Sequence, residues 1–267
     1  MKLSKENYYS QEANREYMSH SQYESFLKCP AATMAELNGE RVEPANDNLL
    51  VGSFLHSWSD HTIEQFKEEH EEMFSTRGAT KGQLKANFQF VNEMIATLEN
   101  DPFCMFVLEG QKEVIMTAEM FGVPWKIRMD VYNPDKRRII DLKTTRSIND
   151  LVWSEERWAK VSFLEAYHYA SQMAIYAEIE RLASGGTQWA EPLIVAVSKE
   201  NPPDKAIISL NDSKMIQREL DLIEGNMPWI LDIKSGKKEP TRCERCEYCR
   251  STKKLNKVMF YTDIGQA

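Results

Sequence analysis

The chain has 267 residues, 42% of them apolar and 28% charged, and its formal net charge is −8. These values are typical of an ordinary soluble globular protein, and the acidic balance argues against a general polyanion binder. No run of about 18 apolar residues occurs, and the polar N-terminus lacks the apolar segment of a signal peptide. We therefore expect a cytoplasmic protein without a membrane partner.

The hydrophobic pattern predicts helices and strands that alternate along the chain. Helices are predicted over residues 18–29, 49–74, 81–99, 162–182 and 212–234, strands over 113–119, 192–198 and 205–210, and a β-hairpin over 123–145. This order predicts the α/β class, with a central mixed β-sheet flanked by helices in a single domain over residues 1–267. The domain divides into an N-terminal cysteine segment (19–30), a core with the candidate catalytic residues (49–210), and a C-terminal helix with a cysteine tail (211–267).

The predicted hairpin carries two aspartates on one face. Its two alternating runs flank an Asn-Pro-Asp-Lys turn, and the period of two decides which side chains share a face. If Tyr132 pairs with Arg137, then Asp130 stands opposite Ile139. Asp141 is then one diagonal step away, with roughly 7–8 Å between the Cα atoms.

Two carboxylates at that separation can share a divalent metal ion. Lys143, on the same face as Asp141, can hold a water molecule or a phosphate oxygen beside them. This combination suits metal-assisted hydrolysis of a phosphodiester. The alternative interpretation is a charged strand face that is only solvated.

Two predicted helices contribute further candidates. His56 lies at the apolar start of the second helix, where it is either a metal ligand or a satisfied core histidine. Gln172 and Tyr176 are four residues apart and so share a helix face, from which they could contact DNA or hold the Lys143 end of the site. The alternative is a tyrosine at a helix–sheet boundary.

Basic residues surround the aspartate motif and recur in the tail. Arg128 and Arg146 belong to the first group, and a second group lies within residues 234–257. These groups are either a path for DNA or ordinary solvated surface.

The five cysteines are unevenly distributed. Cys243, Cys246 and Cys249 follow one another at the spacing of a bacterial ferredoxin run, and Cys29, followed by proline, is the best fourth ligand. Cys104 then remains a free core thiol. A structural [4Fe–4S] cluster is the preferred interpretation, Zn²⁺ is the alternative, and a site without metal stays open.

The ordered set of motifs resembles the RecB-like branch of the PD-(D/E)xK nucleases, and most of all phage RecE-type exonucleases. The resemblance covers about residues 19–253. The motifs that carry it are Ser19-His20-Ser21-Gln22-Tyr23 with Cys29-Pro30, Gly52-x-x-x-His56, Asp130, Asp141-Leu142-Lys143-Thr144-Thr145 and Gln172-x-x-x-Tyr176. The cysteine distribution is similar to the iron–sulfur staple of certain RecB-like nucleases, although the last spacing is shorter here.

The resemblance implies a role for each matched residue. His56, Asp130, Asp141 and the Leu142 carbonyl would bind Mg²⁺ or Mn²⁺. Lys143 would position the attacking water, and the helix with Gln172 and Tyr176 would contact DNA. Family members often have one further catalytic acid. For that role we choose Glu113, with Glu119 as the rival.

The function implied by the resemblance is that of a phage- or prophage-encoded exonuclease. It would degrade linear duplex DNA in the 5′ to 3′ direction in the bacterial host cytoplasm, and would feed the remaining strand to a single-strand annealing protein. A homo-oligomer around DNA is also implied. Two alternatives stay open: a catalytically silent DNA-binding or assembly module with a structural metal, and an endonuclease on the same fold.

Overall fold

The computed structural model describes residues 1–41, 47–255, 258 and 260–263. Parts of the predicted tail segment 211–267 therefore lie outside the described residues. The chain divides into two compact units. The first comprises Met1–His20 and Pro44–Met227, and the second comprises Ser21–Glu43 and Pro228–Ala267. The single domain over residues 1–267 stays a prediction.

The first unit is built on a five-stranded mixed sheet. Its strands are β1 Gln111–Met120, β2 Val123–Asn133, β3 Arg138–Thr145, β6 Glu191–Ser198 and β7 Lys205–Ser209, in the spatial order β1-β2-β3-β6-β7. Only β3 and β6 pair in parallel; the other neighbours are antiparallel. β4 Val152–Ser154 and β5 Ala159–Val161 form a separate two-stranded hairpin that the sequence analysis did not predict.

Helices flank the sheet, which confirms the predicted fold class. The described helices of the chain are α1 Gln11–Glu16, α2 His20–Lys28, α3 Pro30–Leu37, α4 Asp47–Ser59, α5 Ile63–Glu69, α6 Phe90–Glu99, α7 Pro102–Val107, α8 Phe163–Ala166, α9 Tyr169–Ser184, α10 Ser213–Lys234 and α11 Glu247–Ser251. Helices α4 and α6 pack on Ile140, Leu142 and Val195 of the sheet. Helix α9 packs against β1, β2 and β6. Because side chains alternate along β3, Asp141 points away from the face of Ile140 and Leu142.

The turns of the sheet use left-handed backbone. Phe121 and Gly122, at φ 53° and 81°, close the β1–β2 hairpin as the two central residues of a tight turn. In the next turn Arg137 has φ 47°, and the Asn133 side chain accepts a hydrogen bond from the Lys136 backbone at 3.1 Å.

The second turn corrects the predicted hairpin register. Arg138, not Arg137, is the first residue of β3 to pair, and Tyr132 pairs with Ile139 rather than with Arg137. The prediction was wrong by two residues because Arg137 adopts the left-handed conformation and stays in the loop. A shift of two leaves each side chain on its predicted face. It moves Asp130 from the position opposite Ile139 to the position opposite Asp141.

Three of the predicted helices are shorter or interrupted. The helix predicted over 49–74 breaks at His61, and that over 162–182 breaks at His168, because both histidines have positive φ values of 61° and 55°. The helix predicted over 81–99 begins only at Phe90, after an isolated 3-10 turn at Ala86–Phe88. The 3.6-residue spacing of apolar side chains cannot reveal such breaks, because the spacing can continue across a single left-handed residue.

The second unit contains α3, α11 and four cysteines. Cys29, immediately before α3, packs with Ala31, Ala32 and Cys249 in a small buried cluster. The Ala31 N–H donates to the Thr241 carbonyl at 3.0 Å, which ties the start of α3 to the tail. None of the described helices of the chain combines the length and the apolar character of a membrane span.

Candidate active site

The two aspartates lie where the β2–β3 ladder ends. Its last pair is Val131 with Ile140, and the next position places Asp130 opposite Asp141. There the Leu142 N–H donates to Asp130 Oδ2 at 2.7 Å instead of to a backbone carbonyl. A strand residue directs its N–H and C=O to the same side. The Leu142 carbonyl therefore faces the side of Asp130, as its predicted ligand role requires.

His56 of α4 contacts the same aspartate. Its Nδ1 lies 3.3 Å from Asp130 Oδ1. Burial opposes the charged form of the imidazole, but the Asp130 carboxylate outweighs it and raises the pKa of His56. Burial likewise opposes ionisation of Asp130, whereas His56 and the Leu142 N–H lower its pKa overall. Asp130 is thus an ionised ligand candidate.

Asp141 is held by two side chains. Gln172 Nε2 donates to its Oδ1 at 3.0 Å, and the Lys143 ammonium lies 2.7 Å from its Oδ2. Burial raises the pKa of the Asp141 carboxyl, although Lys143 acts against this rise. The lysine contact is an ion pair without hydrogen-bond geometry. Within the described part of the chain, Oδ2 therefore has no hydrogen-bond partner although it is buried.

Lys143 lies between a carboxylate and an aromatic ring. Its Nζ is 4.7 Å from the centroid of the Tyr169 ring and 2.7 Å from Asp141 Oδ2. Burial opposes the ammonium form, but Asp141 outweighs burial and raises the pKa of Lys143. Lys143 is therefore a fixed positive charge beside the acid pair.

Glu113 completes a row of three acids across β1, β2 and β3. The pairs Lys112–Val131 and Val114–Met129 flank it, so Glu113 stands opposite Asp130. Burial raises the pKa of Glu113 to about 7. Glu119, the rival candidate, is exposed further along β1.

The four residues predicted to contact DNA have different surroundings. Gln172 is buried and donates a hydrogen bond to Asp141, so it supports the acid pair. Burial raises the pKa of Tyr176 well above its ordinary value, so its phenol stays neutral. Arg128 is engaged by Glu113 at 2.8 Å and by the Tyr9 hydroxyl at 2.7 Å. Arg146 is exposed just beyond the end of β3.

Two site residues were missed in the sequence. Asp60 follows His56 by four residues, and its carboxylate interacts electrostatically with His56 and Asp130; burial raises its pKa. Tyr169 precedes Gln172 by three residues. Both spacings put the missed residue on the helix face of a predicted one, and that signal could have found them.

The acid site fits a divalent metal ion. The site offers oxygen and nitrogen donors, namely the Asp130 and Asp141 carboxylates, the Leu142 carbonyl and the His56 imidazole. Oxygen donors suit Mg²⁺ and Mn²⁺. Among the described residues, the His56, Asp130 and Asp141 donor atoms are not all within 4.8 Å of one another. Metal binding therefore requires small side-chain movements.

The second candidate metal site lies in the second unit. The sulfurs of Cys29, Cys243, Cys246 and Cys249 all lie within 4.8 Å of one another. Three Sγ–Sγ contacts measure 3.6, 3.7 and 3.9 Å. The backbone N–H groups of Cys246 and Cys249 donate to the sulfurs of Cys243 and Cys246. Cys104 is buried in the hydrophobic core of the first unit and is not a member of this group.

Comparisons with known proteins identify the family and the fold. The family described as "PDDEXK-like domain of unknown function (DUF3799)" matches residues 19–252. A solved structure from Eubacterium rectale, provisionally described as an exonuclease, is 40% identical; the alignment covers 99% of this chain and 98% of that chain, with a TM-score of 0.92. A second structure, of SSO0001, is 15% identical over 85% of this chain and 91% of that chain, and its TM-score of 0.29 shows no common fold. No curated protein matches the chain.

Proposed function

The chain belongs to the PDDEXK-like family, and from this premise we propose that it is a divalent-metal-dependent DNA exonuclease. The observation that carries the proposal is the buried Asp141 carboxylate, which stands opposite Asp130 and has the Lys143 ammonium 2.7 Å from its Oδ2. A buried acid whose pKa is shifted by burial and by a specific charged partner marks a candidate functional site, which a solvated strand face does not. The Eubacterium rectale relative, which is described as an exonuclease, supports the same activity.

The proposed roles follow from the contacts. Asp130, Asp141, His56 and the Leu142 carbonyl would hold Mg²⁺ or Mn²⁺. When bound, the ion lowers the pKa of a water molecule and offsets charge that builds up on the phosphate. Lys143 stays protonated and adds positive charge where the transition state becomes more negative. Gln172 keeps the Asp141 carboxylate in one orientation.

One experiment separates the proposed activity from its alternatives. End-labelled linear duplex and closed circular duplex are incubated with the protein in Mg²⁺, in Mn²⁺ and in EDTA. An exonuclease degrades only the linear DNA and only with metal. Cleavage of both forms would identify an endonuclease, and cleavage of neither would leave a silent binding module.

Removal of the lysine charge tests the site itself. We expect Lys143→Met to lower kcat by about 10²–10³-fold, the range found when one transition-state donor is removed. Lys136→Met is the matched control, because Lys136 is exposed in the β2–β3 turn. Parental cleavage by a folded Lys143→Met protein would contradict the assignment.

The direction of degradation and the biological setting rest on the motif resemblance to phage RecE-type exonucleases. We propose 5′ to 3′ digestion of linear duplex, with the remaining strand passed to a single-strand annealing protein during recombination. Duplexes with phosphorothioate linkages at only the 5′ or only the 3′ ends test the direction. Digestion blocked by 3′ protection instead of 5′ protection would reverse it.

For the cysteine cluster we propose one tetrahedral metal ion, with Zn²⁺ as the best candidate. Four thiolates at about 2.3 Å from one zinc are separated by about 3.8 Å, close to the contacts above. A [4Fe–4S] cluster, the preferred interpretation of the spacing, places four irons and four sulfides between its thiolates and needs wider separations. Anaerobic purification followed by metal analysis decides between them. Stoichiometric iron in a brown protein would instead identify a [4Fe–4S] cluster.

A further inference from the structure

The β4–β5 hairpin presents two tryptophans to solvent. Trp158 is 82% exposed and Trp153 is 54% exposed, and their rings meet edge-to-face with centroids 6.3 Å apart. Leu151, immediately before β4, and Tyr167, immediately after α8, are also exposed. Exposed large apolar side chains that are concentrated in one segment mark a candidate interaction site on a globular protein.

The hairpin is anchored to the segment that leads into α9. Arg157 donates to Glu165 at 2.8 Å, and His168 Nε2 lies 3.5 Å from Glu156. α8, which begins in a capping box at Ser162, packs against β4. Trp153 lies on β4 and Trp158 in the turn before β5, so both tryptophans belong to a hairpin that contacts α8.

An aromatic path connects this region to the candidate active site. The Tyr167 and Tyr169 rings have centroids 5.9 Å apart, and the Phe163 and Tyr169 rings 6.2 Å apart. Tyr169 in turn holds the Lys143 ammonium over its ring. The hairpin also joins two catalytic elements along the chain, since it follows β3 with Asp141 and precedes α9 with Gln172.

Resting on the proposed nuclease function, we infer that the hairpin is a stacking platform for unpaired bases of single-stranded DNA next to the scissile phosphate. Aromatic rings offer flat faces to any base, so stacking needs no sequence preference. Lys160 is exposed on β5 itself, and Arg146 is exposed in the segment between β3 and β4, so both can meet backbone phosphates. Glu165 is paired with Arg157, which reduces its repulsion of DNA.

The test measures binding without cleavage. A fluorescent oligo-dT strand is titrated, in buffer without added Mg²⁺ or Mn²⁺, with the full chain and with a Trp153→Ala, Trp158→Ala double variant. We expect the Kd of the double variant to rise about tenfold or more, as removal of base–aromatic stacking predicts. The slope of log Kd against log salt stays unchanged, because no phosphate contact is removed. Arg146→Ala should instead reduce that slope.

Two controls make the outcome specific. Phe103→Ala removes an exposed aromatic ring from α7 and should bind oligo-dT as the parent does. Trp153→Phe with Trp158→Phe should restore most of the affinity if stacking is the cause. Parental affinity in the alanine double variant overturns the inference, and so does a changed oligomeric mass at unchanged affinity, which would identify a protein-docking surface.

The outcome is independent of the catalytic proposal. If the parent digests linear DNA while the alanine double variant binds oligo-dT normally, the stacking platform fails and the nuclease stands. If the parent cleaves no DNA in Mg²⁺ or Mn²⁺, the proposed function fails, whatever the tryptophans do.

Discussion

At the scale of single residues, the site depends on a side chain that accepts a hydrogen bond in place of a strand carbonyl. The Asp130 carboxylate accepts the hydrogen bond from the Leu142 N–H at the position where β2 and β3 stop pairing. This bond keeps the buried amide satisfied while the strands separate, and it fixes the carboxylate beside His56. A cation would also stabilise Asp141, because its charge offsets the burial that raises the pKa of that carboxyl.

Glu113 and Glu119 provide a matched pair of substitutions on one strand. We expect Glu113→Gln to lower kcat or metal affinity by about 10–100-fold, the usual effect of losing a group that supports a metal site. Glu119→Gln should leave both unchanged, because Glu119 is exposed away from Asp130. Nuclease assays across a Mg²⁺ titration check the expectation. Equal effects of the two substitutions would remove Glu113 from the site.

At the scale of elements, a buried lysine holds the N-terminal segment on β2. Lys126 is almost fully buried, and its ammonium donates to the Tyr8 carbonyl and to Asn14 Oδ1. It also lies over the Tyr8 ring, at 4.5 Å from the centroid. The same segment presents Tyr9 to Arg128, so its docking is coupled to the acid row.

Replacement of this lysine should loosen the segment. We expect Lys126→Met to lower the free energy of unfolding by about 1–3 kcal/mol, since the buried Tyr8 carbonyl and the half-buried Asn14 side chain lose a charged donor. Urea denaturation measures the change, with the exposed Lys136→Met as control. A stability equal to that of the parent would show that the segment is held by other contacts.

At the scale of the whole molecule, the cysteine cluster closes a very long loop. Cys29 and Cys249 are 220 residues apart in sequence, yet their sulfurs are 3.6 Å apart. Closing such a loop costs entropy, and binding of the proposed metal would supply the free energy for it. The metal is therefore expected to be structural, because hydrolysis needs no electron transfer.

Loss of one ligand should release the metal and lower the stability. We expect Cys29→Ser to lose bound metal and to lower the thermal midpoint by at least about 5 °C. Cys104→Ser is the control, because Cys104 is buried but lies outside the four-cysteine group. Metal analysis and thermal unfolding check both variants. Full metal content in Cys29→Ser would exclude that residue as a ligand.

The order of elements and the faces of the strands could be predicted from the sequence. Alternation along β2 and β3 places Asp130 and Asp141 on the intended face, and this assignment survived a register error of two residues. A period of two depends only on backbone geometry, so local sequence is sufficient. The same holds for the i, i+4 pair Gln172 and Tyr176, which the structure finds on one helix.

Other features were decided only by tertiary structure. The left-handed residues Arg137, His61 and His168 end or shift elements without a local signal of their own, since the fold stabilises conformations that these residues rarely adopt. Which partner each charged group finds is also a tertiary matter, as Arg128 with Glu113 shows. Composition and periodicity were sufficient to predict a sheet flanked by helices and the strand face that carries Asp130 and Asp141. The packing of distant segments decided the register, the partners of each charge and the separation of the four sulfurs, because these depend on contacts between residues far apart in sequence.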